Sequence, residues 1–384
     1  MHEDPAMAPV LVANAGSSSL KIRIFGPKDE TLFSGIAAEI GGRSRLVLGR
    51  AETTMPLSDH ATALDALLDA ATSGGVDARS IGAAAHRIVH GGPDLTASAE
   101  LTPPVLARAR DAATLAPLHN PPALAVIAAV ARTRPGLRQI ACFDTAFHAT
   151  NPEVALRYAL PPKAEAEGIR RYGFHGISYD SLTRRLPDLL GHMPGRVLAL
   201  HLGNGASLCA IREGRSVATT MGYSPLEGLT MGTRTGSIDG NAVLRLAELH
   251  GIEGASRILN RESGLLGLGG LSDMRALRAA DTEAARFAID HFAYWAVRHA
   301  GSMIAAMGGL DCVAFTGGIG EHDAAMRAAI CDGLAFMGVA IDGAANAAAA
   351  GRLDRGQGPA VLIVPAAEEA HIARATAEVV ARGI

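Results

Sequence analysis

The sequence is short of nearly everything that marks a secreted, membrane-bound or nucleic-acid-binding protein. Its 384 residues include four cysteines, Cys142, Cys209, Cys312 and Cys331. They are widely spaced and form no CxxC pair, which argues against a zinc site or a disulfide framework and fits a reducing cytoplasmic setting. Aromatic residues make up 4%, too few for base-stacking platforms. The net charge is −3, from 35 basic and 38 acidic residues, so nothing electrostatic points to nucleic acid or a membrane surface as a partner. The opening residues Met1-His2-Glu3-Asp4-Pro5 supply neither the basic nor the apolar region of a secretory signal. No run of about 18 apolar residues occurs, so no bilayer span is expected. Lysine is scarce as well, with only Lys21, Lys28 and Lys163 among the 35 basic residues. A lysine inside a motif is therefore less easily background.

What is present is a 48% hydrophobic chain with 44 glycines. That composition excludes global disorder, and the length suggests two or three domains. The glycines cluster after short β-like runs. Val10–Ala13 reads as a buried strand, Asn14–Ser19 as a turn, and Leu20–Phe25 as a half-buried return strand. The plan recurs in Val197–His201, the turn Leu202–Ser207, and Leu208–Ile211, followed by Arg215–Thr220. Two hairpins of one design suggest an internal duplication. Helix-like stretches cover Ala61–Ala71, Pro104–Leu115, Pro122–Arg132, Asn241–His250 and Thr282–Met307. Ile140–Phe143, Asp311–Thr316 and Val361–Val364 read as strands, with helices from about Asp323 and over Glu368–Arg382. Strands alternating with helices argue for an α/β protein with mixed sheets. Thr150-Asn151-Pro152 is the best boundary.

Three glycine turns could carry chemistry. Asn14-Ala-Gly-Ser-Ser-Ser-Leu-Lys21 offers backbone N–H groups, hydroxyls and a lysine to an anion. His201-Leu202-Gly203-Asn204-Gly205 is a second, and Gly317-Gly318-Ile319-Gly320-Glu321 a third, at a strand-to-helix junction. Each alone reads equally as an ordinary turn. Three in one α/β chain fit a split nucleotide cradle better. Neither G-x-x-x-x-G-K-[ST] nor a G-x-G-x-x-G after the first strand is present. Arg87 and Arg234 sit beside glycines, in His86–Gly92 and Met231–Gly236. A loop arginine is by default merely solvated, but phosphoryl transfer needs such cations. Asp144 falls at the end of a strand, where α/β proteins place ligands. Glu368-Glu369 opens a helix, where acids suit the helix dipole or anchor Mg2+.

Taken together these segments resemble the acetate kinase (acetokinase) family over nearly the whole chain. The residues that carry the resemblance are Val12–Lys21, His86-Arg87, Ala116–Pro122, Phe143–His148, Arg171–Gly176, His201–Ser207, Pro225–Arg234, Gly317–Glu321 and Glu368-Glu369. The resemblance implies reversible transfer of the ATP γ-phosphoryl group to acetate, giving acetyl phosphate and ADP. It implies two duplicated domains of the actin, hexokinase and ribonuclease H-like type with mixed sheets, and an active site in the cleft between them. The expected domains are 1–149 with 370–384 on the acetate side, and 150–369 on the nucleotide and dimerisation side. Mg2+, or Mn2+ in its place, and a homodimer are implied too.

A carboxylate nucleophile is already ionised at neutral pH, so the expected chemistry needs no general base. It must neutralise charge in an in-line transfer. By resemblance, Arg87 and Arg234 flank the acetate carboxylate and the γ-phosphoryl, His175 donates a hydrogen bond to the transferring group, and Asp144 orients Arg87 or a magnesium-bound water. Asn14 and Glu368 hold the metal. Lys21, His201, Leu202, Gly203, Asn204, Gly205, Asp273, Met274, Arg275, Gly318, Ile319, Gly320, Glu321 and His322 line the nucleotide site. Val89, Leu118, Phe174 and Pro225, with His119, form the acyl pocket. The chain departs from the family pattern at Tyr179, where a second histidine is common, at Ser237 and Gly240, at Ala366-Ala367, and at His322. The other readings are a propionate or butyrate kinase, and an actin- or Hsp70-like ATPase module that acts on a partner.

Overall fold

The structure, a computed structural model, describes residues 8–382. The Met1–Pro5 stretch considered above as a signal lies outside them. The chain divides into two compact units, Met1–Ala146 with Ala367–Ile384, and Phe147–Ala366. Both crossings lie three residues ahead of the expected 149/150 and 369/370. At the second crossing the reason is plain, because the Glu368–Arg382 helix is a single element and its buried side packs whole on the first unit.

The first unit is built on an eight-stranded sheet. Its strands are β1 (Val10–Ala15), β2 (Ser19–Phe25), β3 (Thr31–Ala38), β4 (Arg45–Leu48), β5 (Ala51–Thr54), β6 (Ala83–Ile88), β7 (Ala99–Glu100) and β8 (Arg138–Phe143), in the order β5-β4-β3-β2-β1-β6-β8-β7. β1, β2 and β3 form an antiparallel meander, while β1, β6 and β8 run parallel. Alternation sorts the two faces of β2. Leu20, Ile22 and Ile24 are buried with Leu11 and Ala13 against Leu64, Leu67, Val126 and Val130. Those partners belong to the helices His60–Ser73 and Asn120–Thr133, the first capped by Asp59 accepting from the Thr62 N–H at 2.8 Å. Asn14, Lys21 and Arg23 point to the other face, which the Glu368–Arg382 helix covers with Ile372, Ala373 and Thr376.

The second unit repeats this plan. Its strands are β9 (Arg196–Leu202), β10 (Ala206–Arg212), β11 (Arg215–Thr219), β12 (Cys312–Thr316) and β13 (Ala360–Ile363), in the order β11-β10-β9-β12-β13. Again three strands form an antiparallel meander and three run parallel. The match to β3-β2-β1-β6-β8 makes the duplication a property of topology and not only of two short hairpins. One face packs Tyr179, Leu182 and Leu186 of the Gly176–Leu190 helix on Val197, Ala199, Cys209 and Ile211. The other carries the Glu283–Met307 helix with Phe292, Ala296 and Ala300 buried.

Three expectations change. Arg87, taken from its glycine neighbours for a loop residue, lies in β6, whose near-continuous apolar run is masked by alanines and by buried His86. The glycine run Gly317–His322 is itself a short helix. The helix expected over Asn241–His250 continues beyond a break at Gly251 (φ 71°) to Arg261. Among the described residues no helix is long and apolar enough to cross a membrane, and all four cysteines are buried and outside any disulfide.

Candidate active site

In the first unit the polar groups collect where the parallel strands end. Asn14 is the last residue but one of β1, Arg87 lies near the end of β6, and Asp144 follows β8 directly. Arg87 grips Asp144 with two nitrogens, NH2 to Oδ2 at 2.7 Å and Nε to Oδ1 at 3.1 Å. Glu368, the first residue of its helix, holds a carboxylate oxygen 3.7 Å from Arg87 NH1. Burial opposes the guanidinium charge, but Asp144 and then Glu368 outweigh it, and the Arg87 pKa stands above its ordinary value. Lys21 is the register partner of Asn14, and its ammonium lies 2.6 Å from Glu369. The glutamate pair is thus divided, one member turned to Arg87 and the other to Lys21.

These residues suit a hard divalent cation of the magnesium kind. The donors on offer are the Asn14 carboxamide and the Glu368 carboxylate. Among the described residues no group of three or more His, Cys, Asp or Glu forms a protein-only cage. Mg2+ commonly takes one or two protein oxygens and completes its shell with water and phosphate. Val89 follows β6 and is half-buried, Leu118 is exposed, and His119 caps the Asn120–Thr133 helix.

In the second unit the corresponding strand ends are more open in backbone. His175 caps the Gly176–Leu190 helix in the left-handed region (φ 57°), a conformation costly for a residue with a Cβ. Its ring stacks on His201, with centroids 4.2 Å apart. His175 Nδ1 lies 2.8 Å from Ser207 Oγ, Tyr179 OH 2.6 Å from the same oxygen, and His201 Nδ1 2.8 Å from Ser178 Oγ. Behind them His148 is buried, with Nδ1 on Ser216 Oγ and Nε2 on the Phe174 carbonyl, both at 2.9 Å. Burial pushes its pKa down to about 4. The neutral ring therefore clamps the peptide just before His175.

Arg234 donates to the Pro225 carbonyl at 3.2 Å, and among the described residues no carboxylate comes within ion-pair distance of it. Burial alone lowers its pKa. Gly205 explains how it meets His175. A Cβ there would stand 3.3 Å from His175 Nε2 and 3.7 Å from Arg234 NH1, so the hairpin tip passes close to both groups. Gly317 is needed for a different reason. It has φ 78°, and its Cα passes so close to β9 that a Cβ would meet the Leu202 carbonyl at 2.8 Å.

Beside these turns lies a cavity of about 600 Å³. Gly203, Asn204, Asp273, Met274, Arg275, Gly318, Ile319 and His322 line it, together with Ser272, Arg278 and Asp323–Ala325. Most of the residues expected at a nucleotide site are thus gathered in one place. Leu202, Gly205, Gly320 and Glu321 stand in the turns behind its wall, and Lys21 lies in the first unit. Glu321 braces the turns, its Oε1 accepting from the Gly317 N–H at 3.0 Å and the Ala366 N–H at 2.9 Å. Asp273 caps the Met274–Ala280 helix and pairs with Arg275, whose hydrogen bond is the chief cause of its pKa falling to about 2. Phe174 is buried, and Pro225 is half-buried beside Arg234.

Sequence reasoning gave no role to Ser207, His148 or Arg327, and read Tyr179 only as a departure. Arg327 is buried and places its guanidinium on the Gly320 and Glu321 carbonyls at 3.0 and 2.8 Å, and on Asn346. Only the alternation along β10, which turns Ser207 to the same face as Cys209 and Ile211, could have hinted at any of this.

A doubled sheet of this strand order, with its polar groups at the ends of the parallel strands, is the architecture of the actin- and hexokinase-like phosphotransferases. Within that class the chain belongs to the acetokinase family, whose family model matches residues 9–374. It is 42% identical over 387 residues to an acetate kinase of Rhodopseudomonas palustris, covering 95% of this chain and 96% of the relative. Among solved structures it is similar to an acetate kinase of Porphyromonas gingivalis, with TM-score 0.91 and 35% identity over 97% of this chain and 100% of the other. A propionate kinase of Francisella tularensis matches with TM-score 0.91 and 32% identity, over 96% and 99%.

Proposed function

We propose that the protein is an ATP-dependent kinase of short-chain carboxylates, transferring the γ-phosphoryl group to acetate and back from acetyl phosphate to ADP. The observation that carries this reading is full-length membership of the acetokinase family with every motif named above in order. The acid arrives ionised, because a carboxyl of pKa near 4–5 is deprotonated at neutral pH. No side chain needs to remove a proton. The work left is to bind two anions and to neutralise the charge of the transferring group.

In this reading the first unit contributes Arg87, set by Asp144, together with Asn14 and Glu368 as holders of Mg2+. When bound, that ion would neutralise phosphate oxygens and help orient them. The second unit contributes the 600 Å³ cavity for the nucleotide, Arg234 for developing negative charge, and His175 as a hydrogen-bond donor through Nε2. Val89, Leu118, His119, Phe174 and Pro225 would select the acyl group.

The test is trapping of acyl phosphate as its hydroxamate from ATP, Mg2+ and acetate. Slow ATP hydrolysis that ignores added acid would sink the reading in favour of an ATPase module. The propionate kinase among the structural relatives favours a second reading, propionate as the principal acid. One methylene in an apolar pocket changes selectivity by about 10–200-fold. A series from formate to butyrate is expected to peak at acetate, with propionate next.

We propose also that the active form is a homodimer. Leu244, Leu249 and Ile252 of the Gly240–Arg261 helix, and Phe287 and Tyr294 of the Glu283–Met307 helix, are all exposed. Large apolar side chains left exposed on two helices of one unit call for cover, and a second copy would supply it. Light scattering should give twice the chain mass, and Ile252→Asp should lower it.

A further inference from the structure

We propose that Tyr179 is a positioning residue that acts through Ser207 to hold His175 in the tautomer with its hydrogen on Nε2. This rests on the reading of His175 as a donor to the transferring group, and it names what makes that atom a donor.

The argument follows the hydrogens. Tyr179 and Ser207 are both fully buried, so each O–H must find an acceptor within the protein. Ser207 Oγ has two partners, Tyr179 OH at 2.6 Å and His175 Nδ1 at 2.8 Å. A hydroxyl donates once, so Ser207 can give its hydrogen to only one of them. Burial keeps Tyr179 a neutral phenol, and Ser207 Oγ is the one hydrogen-bond partner of its hydroxyl among the described residues. The phenolic hydrogen therefore goes to Ser207. The Ser207 hydrogen then goes to His175 Nδ1. A ring nitrogen that accepts carries no hydrogen, so a neutral His175 carries it on Nε2.

The reverse direction fails on the same count. If Nδ1–H donated to Ser207 and Ser207 to Tyr179, the phenolic hydrogen would have no acceptor among the described residues. A buried donor left unmade is costly. The chosen direction also aims the donor usefully, because Nε2 borders the gap above Gly205 that Arg234 NH1 shares. The departure from histidine at position 179 thus keeps an N–H or O–H donor facing Ser207.

The experiment is nitrogen NMR of the full-length protein labelled at histidine nitrogens, with His175→Gln used to assign the signal. Ring N–H correlation patterns distinguish the two tautomers. The wild type is expected to show Nε2–H at His175. In Tyr179→Phe, Ser207 is released to accept from Nδ1, so an Nδ1–H population should appear. There kcat should fall about tenfold, the scale of one hydrogen bond, while KM for acetate and ATP stays within about twofold. Tyr179→His, which restores an N–H donor, should recover the Nε2–H signal. If circular dichroism shows Tyr179→Phe unfolded, Ser207→Ala carries the same readout. An Nδ1–H signal in the wild type, or an unchanged Nε2–H signal in Tyr179→Phe, overturns the proposal even if kcat falls. Wild-type kcat in His175→Gln would instead remove the catalytic reading of His175 and leave the tautomer assignment standing.

Discussion

Each unit carries an arginine among its candidate site residues, and the two are treated in opposite ways. Arg87 is gripped by Asp144 at 2.7 Å and approached by Glu368 at 3.7 Å. Arg234 has a carbonyl at 3.2 Å and, among the described residues, no carboxylate in ion-pair range. The Arg87 pKa is raised because its carboxylates outweigh burial, and the Arg234 pKa is lowered because burial acts alone. In the first cluster Arg87, Lys21 and Arg23 face Asp144, Glu368 and Glu369, so positive and negative groups are matched. The second cluster has spare positive charge, which invites an anion. The internal duplication has thus diverged, to a carboxylate-paired arginine in one copy and an arginine without a carboxylate in the other.

The sharpest test separates activity from stability. Arg234→Met should lower kcat by about 10²–10³-fold, the worth of one well-placed donor to developing charge. Its melting temperature should barely move, since no partner charge is stranded. Arg87→Met should lose as much activity and also about 3 kcal/mol of stability, because buried Asp144 is left without its cation. Adding Asp144→Asn to Arg87→Met should restore most of the stability and none of the activity. Thermal melts and hydroxamate assays on the four proteins decide it. Equal destabilisation by the two single arginine changes would erase the contrast.

Acid tests the two units together. Burial holds His86 and His90 in the first unit, and His148 in the second, at pKa values of about 4. The unfolded chain titrates near 6.5 and so takes up protons first. The stability gained from neutral rings is complete above about pH 6.5 and drains away as pH falls toward 4. At pH 5 each ring accounts for about 2 kcal/mol of loss. His291 and His299 of the second unit are lowered by burial as well, so each unit holds acid-sensitive rings and limited proteolysis at pH 5 is expected to cut within both. Cleavage confined to one unit would show that other groups dominate.

How much of this was legible in the sequence follows from what period and spacing can carry. The hairpins, the Glu368–Arg382 helix and the nucleotide turns stood out because apolar alternation and glycine position are local signals. β6 did not, because a run of alanines ending in His-Arg hides a central strand, and so Arg87 passed for a loop residue. The cavity residues Asp273–Arg275 came from family resemblance, since no spacing rule links them to the glycine run some 45 positions further on. The hydroxyls behind His175 were invisible for a simpler reason. A serine becomes a proton carrier only through the neighbours that tertiary packing gives it, here Tyr179 from a helix and His175 from that helix's cap.

A third arginine refines the comparison at the smallest expected effect. Arg327 has neither a carboxylate in ion-pair range among the described residues nor access to a ligand, being 1% exposed. Its guanidinium instead rests on carbonyls at the C-terminal end of the Gly317–His322 helix and on Asn346. Those carbonyls attract a cation, so the charge is answered by backbone dipoles. Glu321 fastens the other end of that helix through the Gly317 N–H. The glycine turn beside the cavity is therefore held from both sides, by Arg327 at one end and by its own Glu321 at the other. Arg327→Met strands two buried carbonyls and should cost about 1–3 kcal/mol. If the turn forms the nucleotide wall, KM for ATP should rise several-fold in the folded variant while KM for acetate stays put. A rise in both constants together would mean that Arg327 supports the unit as a whole, and the division between an acid side and a nucleotide side would lose its support.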